Sequence, residues 1–181
     1  MTTTTTQRGY SLAEALVVIA IVGLISVITV PQFIAMSHGM KLSSSLRQFT
    51  SDIRSARARA ITRDRYAKVS FSSGVGNLTY HLYEGTIDPA TGNIVWNATP
   101  WVTRNLQQST YFVDPAAAAP ASVCTDIDTP ADGDYDIVFN PTGVLRNATV
   151  CNQIVLRSQF TDVAHRYYTI NISVPGNLTT K

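Results

Sequence analysis

Charged side chains, cysteine and histidine are all scarce in this chain. Only 14% of its 181 residues are Asp, Glu, Lys or Arg, while 45% are hydrophobic. An average soluble domain carries about a quarter charged residues, and a disordered or solvating chain needs more charge and less apolar content than this. Two cysteines are too few to close a structural zinc site by themselves. The three histidines, His38, His81 and His165, are widely spaced, and no Gly-x-Ser-x-Gly, His-Glu-x-x-His or phosphate-binding glycine loop occurs. The hydrolase, metalloprotease and nucleotide-binding classes that rely on those patterns therefore find no support, and no enzyme activity, cofactor or metal is expected. The length suits one core with an appendage.

The longest absence is positional. From Ala15 to Met36 there is no charged side chain, and the polar interruptions are Ser26, Thr29 and Gln32. At about 1.5 Å rise per residue, some 20 such residues cross a hydrocarbon core of about 30 Å, whereas a secretory signal has an apolar region of only about 7 to 15 residues. A removable signal peptide has in its favour Arg8 and a weak small-x-small site at Ala35-Met36-Ser37. A membrane-spanning helix fits the length better.

Immediately before the run stands Arg8-Gly9-Tyr10-Ser11-Leu12-Ala13-Glu14. An ionised carboxylate in a membrane helix costs about 2.5 to 3.5 kcal/mol on insertion scales, and Glu14 has no cation nearby in its own helix. A cut after Gly9 would create a free α-amino group on Tyr10. Glu14 of a neighbouring copy would neutralise that amine in a packed helical bundle, and the pairing would set the axial register between subunits.

These residues resemble the class III signal of type IV prepilins and type II secretion pseudopilins, in which a short leader ends in Gly before an aromatic or apolar residue and Glu follows. Here the leader is Met1 to Gly9, Glu14 is the fifth mature residue and Pro31, a common family proline, the twenty-second. The resemblance implies that a prepilin peptidase cuts between Gly9 and Tyr10 and methylates the Tyr10 amine, where the family usually has Phe. It also implies assembly roles for Tyr10, Glu14 and Pro31, with other pilin or pseudopilin subunits and an inner-membrane assembly platform as partners. The expected division is a leader at 1–9, a transmembrane and assembly half-helix at 10–38, and a periplasmic or extracellular globular domain at 39–181. The chain would reside in the bacterial inner membrane, then in a pilus or pseudopilus.

Past Pro31 the apolar run gives way to a 3.6-residue period. At about 100° per residue, Leu42, Leu46, Phe49, Ile53, Ala56 and Ala60 share one narrow arc, the face of a helix lying on a core, with Gly39 a candidate bend. Charge concentrates here. Residues 41 to 68 hold eight Lys/Arg and two Asp, a net +6, whereas residues 69 to 181 hold five basic and nine acidic side chains, a net −4. Arg47, Arg54 and Arg65 share a second face, with Arg59 and Arg63 elsewhere on the exposed circumference. That face reads as a contact for DNA phosphates or an acidic subunit, or as a solvated helix surface.

Beyond Asp64 short alternating or β-branched runs read as strands at 67–71, 78–83, 94–96, 101–105, 136–140, 153–157 and 167–174. Turn residues between them favour antiparallel hairpins, and 114–121 reads as a surface connection. The fold class is α+β, a long N-terminal helix packed on an antiparallel sheet in pilin-like fashion. Phe139, Pro141 and Gly143 match the Phe-x-Pro-x-Gly element of the GspH/FimT family, which the order of elements also resembles.

The resemblance implies a structural minor pilin incorporated into, or priming, a type IV pilus. The alternatives are a minor pseudopilin of a type II secretion system and a DNA-binding minor pilin for DNA uptake. DNA-binding members use a basic C-terminal tail, whereas this chain ends Val174-Pro-Gly-Asn-Leu-Thr-Thr-Lys181. Cys124 and Cys151 lie in the exported part, where a disulfide is expected, contributing about 3 to 4 kcal/mol in the chain-entropy model. Asp126, Asp128, Asp132, Asp134 and Asp136 invite a calcium reading, but Pro130 and Phe139 occupy positions where an EF-hand needs ligands, so a solvated acidic loop is expected. The five Asn-x-Ser/Thr tripeptides are assigned no sugar, because a prepilin-like signal points to bacteria.

Overall fold

The structure, a computed structural model, describes residues 11–114, 123–124, 134–146, 151–160 and 167–180. Its only helix among these residues is α1 (Leu12–Arg63), which remains helical through Pro31 and Gly39. The chain divides into two compact units, Met1–Ser37 and His38–Lys181.

In the first unit Ser11 starts the helix, and its hydroxyl accepts the Glu14 N–H at 3.2 Å. Ser11 and Glu14 are spaced as in a capping box, and a carboxylate in the first turn also complements the helix dipole. The apolar stretch is long enough to cross a membrane, with a mean hydropathy of 2.6 and no part of it buried. Its hydroxyls are satisfied one turn back, Ser26 donating to the Val22 carbonyl at 2.7 Å and Thr29 to that of Ile25 at 2.9 Å. Back-bonding of this kind lets a polar side chain sit in an apolar helix.

In the second unit Leu42, Phe49, Ile53, Ala56 and Ala60 are buried and Leu46 packs at the margin of the same cluster, as the period predicts. The helix stops at Arg63 because Asp64 turns left-handed, at φ 51°. The Arg65 N–H then bonds the Ala60 carbonyl at 3.1 Å and the Asp64 N–H that of Ile61 at 3.4 Å, a Schellman ending. Arg65 is therefore off the helix, and the phase that grouped it with Arg47 and Arg54 does not reach it.

Ten strands follow among the described residues: β1 (Tyr66–Phe71), β2 (Thr79–Ile87), β3 (Ile94–Trp96), β4 (Val102–Asn105), β5 (Thr110–Phe112), β6 (Val123–Cys124), β7 (Tyr135–Phe139), β8 (Cys151–Ser158), β9 (Tyr167–Ile172) and β10 (Leu178–Thr180). All pairs are antiparallel. They form two sheets where the sequence suggested one. The first runs β3-β2-β1-β7 with β4 also on β2, and the second runs β10-β9-β8-β5 with β6 also on β8. Strands β5, β6 and β10, of two or three residues each, escaped the sequence reading, whereas the equally short β3 was legible as the apolar run Ile94-Val95-Trp96.

The core lies where the helix meets both sheets. Val69, Phe71, Tyr80, Leu82, Ile137 and Phe139 come from the first sheet, and Phe112, Ile154, Leu156, Ile170 and Ile172 from the second. Phe49 is its hub, with ring centroids 5.9 Å from Phe71, 5.0 Å from Tyr80 and 4.9 Å from Phe112, each near edge-to-face, the arrangement aromatic quadrupoles favour.

Asp136 departs from the acidic-loop reading. It lies in β7 with no exposed surface and pairs with the buried Lys68 ammonium at 3.3 Å, which also sits 5.5 Å from the Tyr83 ring and 5.3 Å from that of Trp96. Alternation puts both residues on the face of the first sheet opposite the helix, and mutual pairing lets the two charges be buried there. Asp134 accepts from the Ser72 hydroxyl, while Asp126, Asp128 and Asp132 lie outside the described residues.

Candidate assembly and contact surfaces

Gly9 and Tyr10 lie outside the described residues. Glu14 is exposed in the first turn of α1, and Pro31 is exposed inside the same helix. Sequence reasoning assigned Glu14 only to a partner's amine and missed Ser11, although the Ser-x-x-Glu spacing signals the cap.

The basic segment separates into two groups. Arg59 and Arg63 are not free surface charges: both hold Glu84 of β2, the first through Nε and the second through Nη1 at 3.5 Å. The Arg59 guanidinium also lies 4.2 Å from the Trp101 ring centroid. Arg57 donates from Nε to the Gly143 carbonyl at 2.9 Å and from Nη1 to that of Gly176 at 3.4 Å. Lys68 is committed to Asp136. What remains outward on the helix is Arg47 and Arg54, both exposed and neither in an ion pair among the described residues. Seven residues apart, they stand two turns from one another, about 10 Å along the axis.

Arg57 explains the Phe-x-Pro-x-Gly element. Asn140 organises the turn, its side-chain oxygen accepting from the Thr142 N–H at 3.1 Å, the Thr142 hydroxyl at 2.7 Å and the Val144 N–H at 2.8 Å. Gly143 follows at φ 77°, and a Cβ there would stand 2.5 Å from Ile61 Cδ1. Both the left-handed backbone and the close helix contact call for glycine.

A third link joins the helix to β2 and β4. Tyr80 donates to Asp52 at 2.6 Å, and Arg104 approaches the same carboxylate at 3.7 Å. Burial, reinforced by that hydrogen bond and by the negative charge, pushes the Tyr80 phenol well above its ordinary range. Among the described residues no three His, Cys, Asp or Glu converge to hold a metal. The register sets Cys124 opposite Cys151 across β6 and β8.

A family model described as Type II transport protein GspH matches residues 45–176. The chain belongs to the GspH family. A second model, the prokaryotic N-terminal methylation motif, matches residues 4–30. This GspH-family chain thus carries both parts of a pilin-class structural subunit, a minor pilin or pseudopilin, and its apolar N-terminal helix with a prepilin-like motif is the arrangement of a membrane anchor. Comparison with curated proteins finds no match. Among solved structures it is similar to the type IV minor pilin FimU of Pseudomonas aeruginosa, with 14% identity, 77% of this chain and 87% of that one covered, and a TM-score of 0.47. It is also similar to the minor pseudopilin EpsH of the Vibrio cholerae type 2 secretion system, with 12% identity, 78% and 96% covered, and a TM-score of 0.44.

Proposed function

We propose that this protein is a minor pilin that is incorporated into, or primes assembly of, a type IV pilus. The observation that carries the reading is the presence in one chain of the methylation motif over 4–30 and the GspH match over 45–176, joined by α1. A prepilin peptidase removes residues 1–9 in the inner membrane and methylates the Tyr10 amine. Glu14 then pairs with the Tyr10 amine of an adjacent subunit delivered by the assembly platform. In low dielectric such a pair strongly penalises a wrong register, and the exported domain is closed by a Cys124–Cys151 disulfide. The second reading, a minor pseudopilin of a type II secretion system, is favoured by the description of the matching family.

Glu14→Ala tests the reading. The variant should still insert and be cut after Gly9, but should lose co-purification with partner pilins after mild extraction. Intact mass of the processed chain reports the Tyr10 terminus, its methyl group and the two hydrogens lost to the disulfide. Normal incorporation of the variant would remove the role assigned to Glu14, and a terminus at His38 would replace the pilin reading with an ordinary signal peptide.

A further inference from the structure

Three contacts gather one end of the second sheet around the part of α1 that follows the apolar run. The His38 and Phe160 rings stack with centroids 3.6 Å apart and planes 6° apart. The Gln107 N–H donates to the Ser45 hydroxyl at 2.9 Å, and the Gln159 N–H to the Ser109 carbonyl at 2.8 Å. His38 comes two residues after Met36, where the uncharged run ends, so at most about 7 Å of extended chain separates them at any angle of the helix. The run from Ala15 to Met36 makes about 33 Å of helix, the thickness of a hydrocarbon core, and the headgroup layer beyond it is about 5 to 7 Å deep. With the run in the membrane, the Phe160 ring on His38 stands at headgroup level.

The strands that meet at this end carry an aromatic and arginine row. Arg157 of β8 stands opposite Tyr111 of β5 on one side and Tyr167 of β9 on the other. Phe112 and Leu156, next to them in the chain, are buried in the core, so alternation turns the three side chains to the outer face of the sheet. Arg157 and Tyr167 are exposed and Tyr111 is half-buried, and Arg157 has no ion pair among the described residues. The surroundings are cationic: across 38–47, 106–112, 157–160 and 167–169 the charged side chains are Lys41, Arg47 and Arg157. The intervening 161–166 adds one Asp and one Arg, hence no net charge.

We infer that this end of the second sheet docks on the surface of an anionic phospholipid bilayer while the chain is anchored, with Phe160 entering the headgroup layer and Arg157 meeting lipid phosphate between Tyr111 and Tyr167. Tyrosine and arginine suit that depth, because each has an apolar body and a polar tip, and aromatic rings collect at membrane interfaces. Anionic headgroups attract Lys and Arg within a Debye length of the surface. A nucleic acid would also take an exposed arginine, but the bilayer alone is held within about 7 Å of His38 by the chain itself. The contact rests on the anchor proposed above. It limits the swing of the exported domain in the membrane-held subunit, and entry into a filament must break it.

The native tryptophans supply the control for a test. Trp101 lies on Arg59 and Trp96 beside Lys68 of the first sheet, and Arg59 is about 30 Å along the helix axis from His38. Full-length parent, Phe160→Trp and Tyr167→Trp chains are reconstituted in vesicles of phosphatidylcholine and phosphatidylglycerol that contain a lipid with a headgroup nitroxide, and flotation reports anchoring. The nitroxide should quench the added tryptophan in both variants and leave the parent's emission nearly unchanged. Adding Arg157→Gln to Tyr167→Trp should lower the ratio of docked to free domain about fivefold, the weight of one arginine at an anionic surface. Leaving out phosphatidylglycerol should lower it as well. Added tryptophans quenched no more than the parent's, in chains that float and keep the parent's circular dichroism spectrum, overturn the docking. Quenching that both Arg157→Gln and the loss of phosphatidylglycerol leave unchanged overturns it too. Binding of a single-stranded oligonucleotide that depends on Arg157, without headgroup quenching, would assign the row to nucleic acid instead. A chain that does not float overturns the anchor, and the docking with it.

Discussion

Replacing Arg57 with Ala should destabilise the sheet-bearing unit by about 2 to 3 kcal/mol. A hydrogen bond with one charged partner contributes about 1.5 to 3 kcal/mol. The bond to Gly143 at 2.9 Å has good length and the one to Gly176 at 3.4 Å is near the limit, so the first supplies most of the effect. The two turns and the guanidinium form one block: a Cβ at Gly176 would stand 2.9 Å from Arg57 Nε and 3.0 Å from the Gly143 carbonyl oxygen. Arg57 is half-buried, so water reaches part of the freed surface and holds the loss below the sum of two full bonds. For a domain of this size about 1 kcal/mol moves Tm by 2 to 4 °C, which gives a fall of about 5 to 10 °C. The assay is thermal unfolding of the full chain in detergent, followed by near-ultraviolet circular dichroism of Trp96 and Trp101. Arg57→Lys should fall between the two, because an ammonium does not present the planar fork that meets two carbonyls. Arg47→Ala, on an exposed side chain without an ion pair, should stay within about 0.5 kcal/mol of the parent. If Arg57→Ala melts within about 1 °C of Arg47→Ala, the clamp contributes nothing and the reasoning fails.

Arg47→Ala combined with Arg54→Ala should leave Tm unchanged while reducing co-purification with partner subunits; DNA binding that weakens steeply between about 50 and 200 mM salt and vanishes in this variant would instead assign the pair to phosphates. Tyr80→Phe should cost about 1 to 2 kcal/mol at neutral pH, because Asp52 loses a donor. The raised Tyr80 phenol also sets an alkaline limit: its stabilisation is complete below the unfolded tyrosine value of about 10 and is lost as pH rises beyond it. Melts at about pH 8 and 11 should therefore show a smaller alkaline loss in Tyr80→Phe than in the parent, and equal losses would mean that Tyr80 does not carry the limit.

The amino-acid order alone determined the long apolar helix, the phase of its buried face from Leu42 to Ala60 and most of the strands, because each of these is a local periodicity read over many residues. It also carried the family resemblance, since Gly9, Glu14, Pro31 and the Phe139–Gly143 turn are short, fixed spacings. Where the helix ends was decided by Asp64 turning left-handed, a backbone choice that a non-glycine residue does not announce. The two-sheet arrangement came from long-range pairing, β8 and β9 joining one another and the short β5, β6 and β10 rather than the β1, β2 and β7 sheet. Tertiary structure also decided what each charge does. Helical phase set Arg59 and Arg63 on the exposed circumference, but Glu84, distant in sequence, holds both, as the Gly143 and Gly176 carbonyls hold Arg57, and this leaves Arg47 and Arg54 as the exposed pair without an ion pair on the helix among the described residues. Asp136, read as part of an acidic loop, became the buried partner of Lys68 for the same reason: a charge takes its role from the groups folding brings to it, and those lie outside any local window of sequence.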